Sequence, residues 1–327
     1  MSALVAVVPE PLMAELFGPD ELARLRAAAD LVEGGFLRVD SLDEVPARAR
    51  VVISSWGTGP FSSEVLDRLP RLGLIAHIGA SVRALVTDAV FERGVIVTQA
   101  GAAMARPVAE VSLAFTLALL HRLPRLHHGL RDGRWYDAGA VQHELLGAPI
   151  AVIGASRTGR AYLELLRVLG AEPLLVDPTV SAGEAAGLGA ELLCLDDALS
   201  RARIVALHAP SLPETHRLIG ARELALMPDG AGLVNTARSW LVDEAALLRE
   251  LRTGRIDAAI DVFDEEPLPL DSQFRGLPNV LLTPHRAAGT WEGRRRQGAI
   301  VTAEIEAFVA GSPLRHAVDP ARLSLMA

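Results

Sequence analysis

Three short segments of this 327-residue chain carry side chains able to do chemistry: Val234-Asn-Thr-Ala-Arg238, Asp261-Val-Phe-Asp-Glu-Glu-Pro267 and Leu282-Thr-Pro-His-Arg-Ala-Ala-Gly289. Each begins at the carboxyl end of a run that reads as a β-strand, the edge at which an open α/β sheet binds its ligands. Arg238, Glu266 and His285 are therefore expected to meet, although 28 and 19 residues separate them along the chain. A guanidinium is always charged and forked, which suits it to grip a carboxylate and polarise a carbonyl. An imidazole gives and takes protons near neutral pH. A carboxylate within hydrogen-bond range favours the protonated ring and fixes its tautomer.

A fourth segment, Ile150-Ala-Val-Ile-Gly-Ala-Ser-Arg-Thr-Gly159, reads as strand, tight turn and helix start. Gly154 and Gly159 take the first and third places of a dinucleotide fingerprint, and Ser156 stands where the second glycine is usual. A serine is small enough for close approach, and its hydroxyl is a further group for a phosphate. Arg157 and Thr158 follow at the helix start, where free N–H groups and the dipole attract an anion. Asp177 ends the next strand, 23 positions after Gly154, near the ~20 at which a carboxylate takes the ribose hydroxyls. Pro178-Thr-Val180 offers no arginine for a 2′-phosphate, so NAD is expected rather than NADP.

The elements that must position these residues alternate along the chain. Leu4–Val8, Val51–Ser54, Leu74–Ile78 and Val95–Thr98 read as strands, with a helix over Asp20–Asp30 whose Leu22, Leu25 and Ala29 share a face. Arg106–Arg122 reads as a long helix with Pro107 in its first turn. After a loop over Pro124–Gly147 a second series of strands is predicted at Ile150–Ile153, Pro173–Val176, Glu191–Leu193, Ile204–Leu207, Gly232–Asn235, Ala258–Val262 and Val280–Leu282. A last helix spans about Trp291 to Ala310. Alternation of this kind predicts an α/β protein of two doubly wound parallel sheets, and the length alone favours two domains.

Composition narrows the chemistry. All 32 basic residues are arginine, which excludes Schiff bases and a P-loop lysine. The net charge of −8 argues against a nucleic-acid partner, and Arg294-Arg295-Arg296 reads as the solvated side of a helix. Cys194 is the only cysteine, so no intrachain disulfide and no metal site are expected, which suits the cytoplasm. No apolar run approaches the ~18 residues of a membrane span, and Met1–Val8 lacks the basic start of a signal peptide.

The chain resembles the D-isomer-specific 2-hydroxyacid dehydrogenase family over nearly its whole length. The likeness rests on the fingerprint, Pro107-Val-Ala-Glu110, His208-Ala-Pro-Ser-Leu-Pro-Glu-Thr215, Asn235-Thr-Ala-Arg238, Asp261-Val-Phe with Glu266-Pro267, and Thr283-Pro-His285. It implies a central Rossmann NAD-binding domain over 103–295. It also implies a flavodoxin-like, discontinuous substrate domain built from 1–102 and 296–327. The implied reaction moves a hydride between NADH and a small anionic 2-keto acid. Arg238 binds the substrate, and His285 is acid in reduction and base in oxidation, with Glu266 as its partner. Asp261 is implied to hold the nicotinamide carboxamide, and His208, Ala209 and Pro210 to line the adenine side. Thr215, Thr236, Ala237 and Ala288 complete the expected cofactor contacts. A homodimer is implied as well, with the loop around Arg131–Leu146, including Trp135 and Tyr136, as its arm.

Where the family's substrate loop usually reads Gly-Ala-Gly-Val-Asp-Asn-Ile-Asp, this chain has Gly79-Ala-Ser-Val-Arg-Ala-Leu-Val86. His77, Ile78, Gly79 and Ala80 are retained as candidate substrate-loop residues. Arg83 and Arg106 either meet a second anionic group or form surface ion pairs. His121, His127, His128 and His143 read as solvated or interfacial. Two other functions are compatible with the pattern. One is a non-catalytic NAD(H)-binding regulator. The other is a phosphite- or formate-type dehydrogenase, the formate type being disfavoured by Glu266 where it typically has glutamine.

Overall fold

The computed structural model describes residues 3–31, 35–135 and 141–325. The chain divides into two compact units, residues 1–104 with 289–327 and residues 105–288.

The first unit is a five-stranded sheet of β1 (Ala3–Val7), β2 (Phe36–Val39), β3 (Ala49–Ser54), β4 (Leu74–His77) and β5 (Ile96–Gln99). Every pairing is parallel and the order is β2-β1-β3-β4-β5. Successive side chains of β1 serve opposite cores. Leu4 and Ala6 pack among Leu16, Leu25, Val301 and Ile305, and Val5 and Val7 among Phe61, Leu66 and Val90. A strand covered on both faces is apolar along most of its length, which is why β1 reads as a continuous run.

The second unit holds β6 (Pro149–Ile153), β7 (Glu172–Val176), β8 (Glu191–Leu192), β9 (Ile204–Leu207), β10 (Gly232–Asn235), β11 (Asp257–Ile260) and β12 (Val280–Leu282). Their order is β12-β11-β10-β9-β6-β7-β8, all parallel. The order reverses between β6 and β9, and ligands of open α/β sheets bind at the carboxyl ends of such a switch point. Two parallel, doubly wound sheets are therefore what the sequence pattern anticipated.

Four local expectations need correction. The strand Phe36–Val39 was not anticipated, since half-buried positions and Arg38 break its apolar run. A helix over Glu10–Leu16 follows Pro9 and accommodates Pro11 in its first turn, where no N–H is needed. Another helix, Leu123–Arg131, occupies part of the segment taken for loop. Finally, Arg294 is not solvated. It is 9% exposed, stacks over the Trp56 ring at 4.6 Å, and lies 3.6 Å from Glu15. Arg295 covers Trp291 in the same way, and Arg296 alone of the three is exposed.

The sequence showed no membrane-length apolar run, yet Gly101–Leu120 is long and apolar enough to cross a membrane by length and composition. More than half of it is buried. From Ala105 onward it is a core helix, with Ala109, Phe115, Leu119 and Leu120 packed against β6, β9, β10 and β11.

Candidate active site

The three reactive side chains lie in the second unit, each just beyond a strand of its sheet. Arg238 follows β10, Glu266 lies in the loop after β11, and His285 follows β12. His285 Nδ1 is 2.7 Å from Glu266 Oε2, with 49% of the imidazole and 36% of the carboxylate side chain exposed. The second Glu266 oxygen, Oε1, accepts the Phe263 N–H at 3.0 Å, so the carboxylate is fixed by its own loop. With Nδ1 committed to Glu266, Nε2 is the ring nitrogen left for a substrate. Burial lowers the proton affinity of the Arg238 guanidinium and the charge of Glu266 raises it, leaving it below its ordinary value. An arginine so shifted is still a cation. Its Nη1 donates to the Ala237 carbonyl at 2.6 Å, which sets the direction of the fork.

The backbone carries His285 in an unusual conformation, with φ of 51°. Its N–H donates to Asp261 O at 2.8 Å and to Thr283 O at 3.1 Å. Asp261, 1% exposed, holds the rest of this turn. Its Oδ1 accepts from the Thr283 hydroxyl at 2.5 Å and Arg286 N–H at 2.9 Å, and its Oδ2 accepts from Ala287 N–H at 2.9 Å. The carboxylate expected to face a nicotinamide thus also holds the loop that presents His285.

The fingerprint residues gather where β6 and β9 end. Gly154 has φ of +105°, and a Cβ on it would stand 2.6 Å from Ala209 N. A Cβ on Gly159 would stand 2.1 Å from Gly154 O. Neither position accepts any other residue. Ser156 caps the helix Arg157–Val168, its Oγ accepting from Gly159 N–H at 3.3 Å and facing Thr158 Oγ1 at 3.0 Å. Its hydroxyl is therefore a cap before it is a phosphate ligand.

Asp177 accepts from Ala155 N–H at 2.7 Å and from the Thr179 N–H and hydroxyl at 2.8 and 2.6 Å. Burial raises its proton affinity, but these bonds and the charge of Arg160 outweigh it, so its carboxyl sits below the usual value. The sequence offered no arginine beside Asp177. The fold brings Arg160 from the next helix, its Nε held by Ala155 O at 3.0 Å. A fixed anion with capacity to accept hydroxyls, a helix start, and backbone bare of side chains suit NAD.

His208 is 2% exposed, and burial pushes it down to about 3, so the ring is neutral. Its Nδ1 meets Thr158 Oγ1 at 3.2 Å and its ring tilts on Tyr162 at 5.1 Å. Several other expected cofactor contacts are engaged internally. The Thr236 hydroxyl bonds Ser112 Oγ at 2.7 Å, and the Thr215 hydroxyl donates to Pro210 O at 2.6 Å. Ala237 N–H donates to Asn235 Oδ1 at 3.1 Å, and Ala209 is buried. Ala288 is half-buried.

In the first unit, His77 ends β4 and is 1% exposed. Its Nδ1 meets Ser54 Oγ at 3.1 Å, and burial pushes it down to about 4. Ile78 is buried and its carbonyl accepts from Gln297 Nε2 at 2.9 Å. Gly79 leaves no room for a side chain, since a Cβ there would meet His77 Nε2 at 2.6 Å, and Ala80 is half-buried. Arg106 pairs with Glu110 at 2.5 Å on the surface of its helix. His143 contacts Arg203, and His128 lies 3.5 Å from Asp132. Trp135 is 90% exposed, and Tyr136 lies outside the described residues. No cluster of three or more metal-ligating side chains occurs among the described residues.

Sequence reasoning missed Glu244. It opens the helix Glu244–Thr253 and accepts the Asp264 N–H through Oε1 at 2.8 Å. Nothing in the spacing of Glu244 and Asp264 signals that contact.

The family described as D-isomer specific 2-hydroxyacid dehydrogenase, NAD binding domain, matches residues 113–287. D-3-phosphoglycerate dehydrogenase of Mycobacterium tuberculosis is 35% identical over 317 residues, covering 95% of this chain and 59% of the relative. The chain thus spans little more than half the length of that protein. Glyoxylate reductase of Korarchaeum cryptofilum is 29% identical over 283 residues, covering 82% of this chain and 85% of the relative. Among solved structures, the TT0316 protein of Thermus thermophilus superposes with a TM-score of 0.82 at 29% identity, covering 98% of this chain and all of that one. The chain belongs to the D-isomer specific 2-hydroxyacid dehydrogenase family, and residues 113–287 are its NAD-binding domain.

Proposed function

We propose that this protein is an NAD(H)-dependent D-2-hydroxyacid dehydrogenase that reduces a small 2-keto acid, with His285 as the proton donor. The 2.7 Å contact between His285 Nδ1 and Glu266 Oε2 carries the reading. It holds the ring so that Nε2 presents a proton, and the carboxylate stabilises the charged ring that gives it up. Bound NADH supplies the hydride to the carbonyl carbon. Arg238 grips the substrate carboxylate and polarises the carbonyl, and His285 delivers its proton to the carbonyl oxygen as the hydroxyl forms. In the reverse direction the neutral ring takes that proton back. The ordered Asp177 carboxylate receives the ribose hydroxyls and opposes a 2′-phosphate.

The identity of the keto acid is a further part of the proposal. Arg106 is already paired with Glu110, which favours a monoanionic acid such as glyoxylate or hydroxypyruvate over a phosphorylated one. We also propose a cytoplasmic homodimer whose contact includes Leu123, Leu130, Trp135, Val141 and Leu146, all exposed apolar side chains.

The test is NADH oxidation across a panel of mono- and dianionic 2-keto acids, with His285→Ala beside the parent. A general acid contributes about 10²–10⁴-fold, so the variant should lose that much kcat while still binding NADH by fluorescence. Binding of NADH with no turnover of any acid by the parent would favour the regulator.

A further inference from the structure

Three polar side chains at the fingerprint turn form a row. Ser156 stands at the place of the second glycine, and its Oγ is 3.0 Å from Thr158 Oγ1. Thr158 Oγ1 is in turn 3.2 Å from His208 Nδ1. Ser156 and Thr158 are half-buried, so the row reaches the surface at one end, and the buried His208 closes the other.

The direction of the protons along this row follows from its buried end. His208 is wedged between Gly159, where a Cβ would stand 3.2 Å from His208 Cβ, and Tyr162, whose ring lies 5.1 Å away. Its ring is neutral, so one nitrogen carries a proton and the other does not. Nε2 is buried without a hydrogen-bond partner. A buried N–H left without an acceptor is the costlier arrangement, so the proton belongs on Nδ1, which donates it to Thr158 Oγ1. The Thr158 hydroxyl then donates to Ser156 Oγ, which also accepts the Gly159 N–H at 3.3 Å. Both lone pairs of Ser156 Oγ are taken, and its own proton has no acceptor among the described residues.

We propose that Ser156 donates this proton to the pyrophosphate of the bound cofactor, and that Thr158 and His208 are positioning residues that aim it. A glycine at this place offers an anion only backbone N–H groups and the dipole of the helix. Ser156 adds a hydroxyl whose rotor is fixed, because the two bonds it accepts leave a single direction for the one it gives. Hydrogen bonds in series polarise one another, and donation to a charged oxygen is the stronger kind. Capping and phosphate binding are compatible here, since the cap uses a lone pair and the phosphate contact uses the proton.

Binding calorimetry with three ligands, and the NMR spectrum of the histidine rings, test this. NADH and ADP-ribose carry the pyrophosphate, and adenosine does not. Ser156→Gly removes the hydroxyl and leaves a residue that helix starts accept. Its affinity for NADH and ADP-ribose should fall by roughly 10–100-fold, the worth of one hydrogen bond to a charged acceptor, with adenosine binding unchanged. Thr158→Val should lower the same two affinities by roughly three- to tenfold, because the serine hydroxyl loses its aim. Thr158→Ser, which restores the hydroxyl, should bind as the parent does. In the cofactor-free parent, ring nitrogen–hydrogen correlations should place the His208 proton on Nδ1.

A Ser156→Gly variant that binds ADP-ribose as tightly as the parent overturns the proposal, because the serine would then be only a small residue that lets the backbone approach. A loss that extends equally to adenosine overturns it too, since the turn itself would be damaged. So does a His208 proton found on Nε2, which reverses the row. Should Ser156→Gly fail to fold, the two Thr158 variants and the ring spectrum still decide. None of these readouts needs turnover. Inactivity of the parent towards every keto acid would overturn the dehydrogenase reading and leave this inference standing.

Discussion

Asp261→Asn separates two roles for the most buried carboxylate near the site. Three donors meet it: the Thr283 hydroxyl, Arg286 N–H and Ala287 N–H. Hydrogen bonds to a charged acceptor contribute ~1.5–3 kcal/mol each, and neutral ones about half as much. An asparagine can keep its carbonyl oxygen toward Thr283 and Arg286 at the weaker value. Its NH₂ then faces Ala287 N–H, donor against donor, and that bond is lost. The difference is roughly 2–4 kcal/mol once the easier burial of a neutral side chain is counted. For a body the size of the second unit that lowers the melting temperature by roughly 5–15 °C. Thermal unfolding of the cofactor-free protein measures the loss, and hydrogen exchange locates it at the Arg286 and Ala287 amides. If Asp261 instead serves the nicotinamide, the variant should keep its stability and weaken only NADH binding. That result would refute the assignment of Asp261 to the His285 loop.

The remaining expectations can be checked together. Arg238→Lys should raise KM for the keto acid at least tenfold with NADH affinity unchanged, because a point charge cannot form two parallel bonds; steady-state kinetics with fluorescence titration measures both. Glu266→Gln should lower kcat for reduction about tenfold or more with NADH affinity unchanged, since the ring loses the carboxylate that orients it at 2.7 Å; an unchanged kcat counts against the pairing. Gly159→Ala places a methyl 2.1 Å from Gly154 O, and should abolish NADH binding by calorimetry. His77 binds protons less readily folded, near pH 4, than unfolded, near 6.5. The unfolded chain therefore takes the extra proton, and stability falls as pH drops from 6.5 to 4, by about 3 kcal/mol in total. Urea unfolding across that range should show the loss, and His77→Leu should flatten it.

What the sequence discloses is the material of each element, and what it hides is which groups meet. β1 and β9 were legible because both are doubly covered and apolar at every position. Phe36–Val39 was not, since an edge strand, half-buried throughout, needs no such run. Arg238, Glu266 and His285 were legible because each follows a recognisable strand, so the sheet itself brings them to one edge. Arg160 and Glu244 were not, because each reaches the site from the side of a helix, where one charged residue looks like any other. Asp261 shows the limit most clearly. Its type announces an acceptor of hydrogen bonds, and only the fold reveals which donors are already there.

Those donors also explain how His285 is held. A φ of 51° puts a residue with a Cβ in the left-handed region, at a cost of about 1–2 kcal/mol. Histidine tolerates this better than most residues, but an exposed loop would ordinarily relax out of it. Here the Asp261 carbonyl takes the His285 N–H, and the Asp261 carboxylate takes the Thr283 hydroxyl and the Arg286 N–H on either side of it. The strain persists because one buried residue grips the turn on both sides, and Glu266 then has only the ring left to orient. Loosening Asp261 should therefore lengthen the His285–Glu266 contact as well as destabilise the loop. A crystal structure of Asp261→Asn with that contact unchanged would show that the ring is set by Glu266 alone.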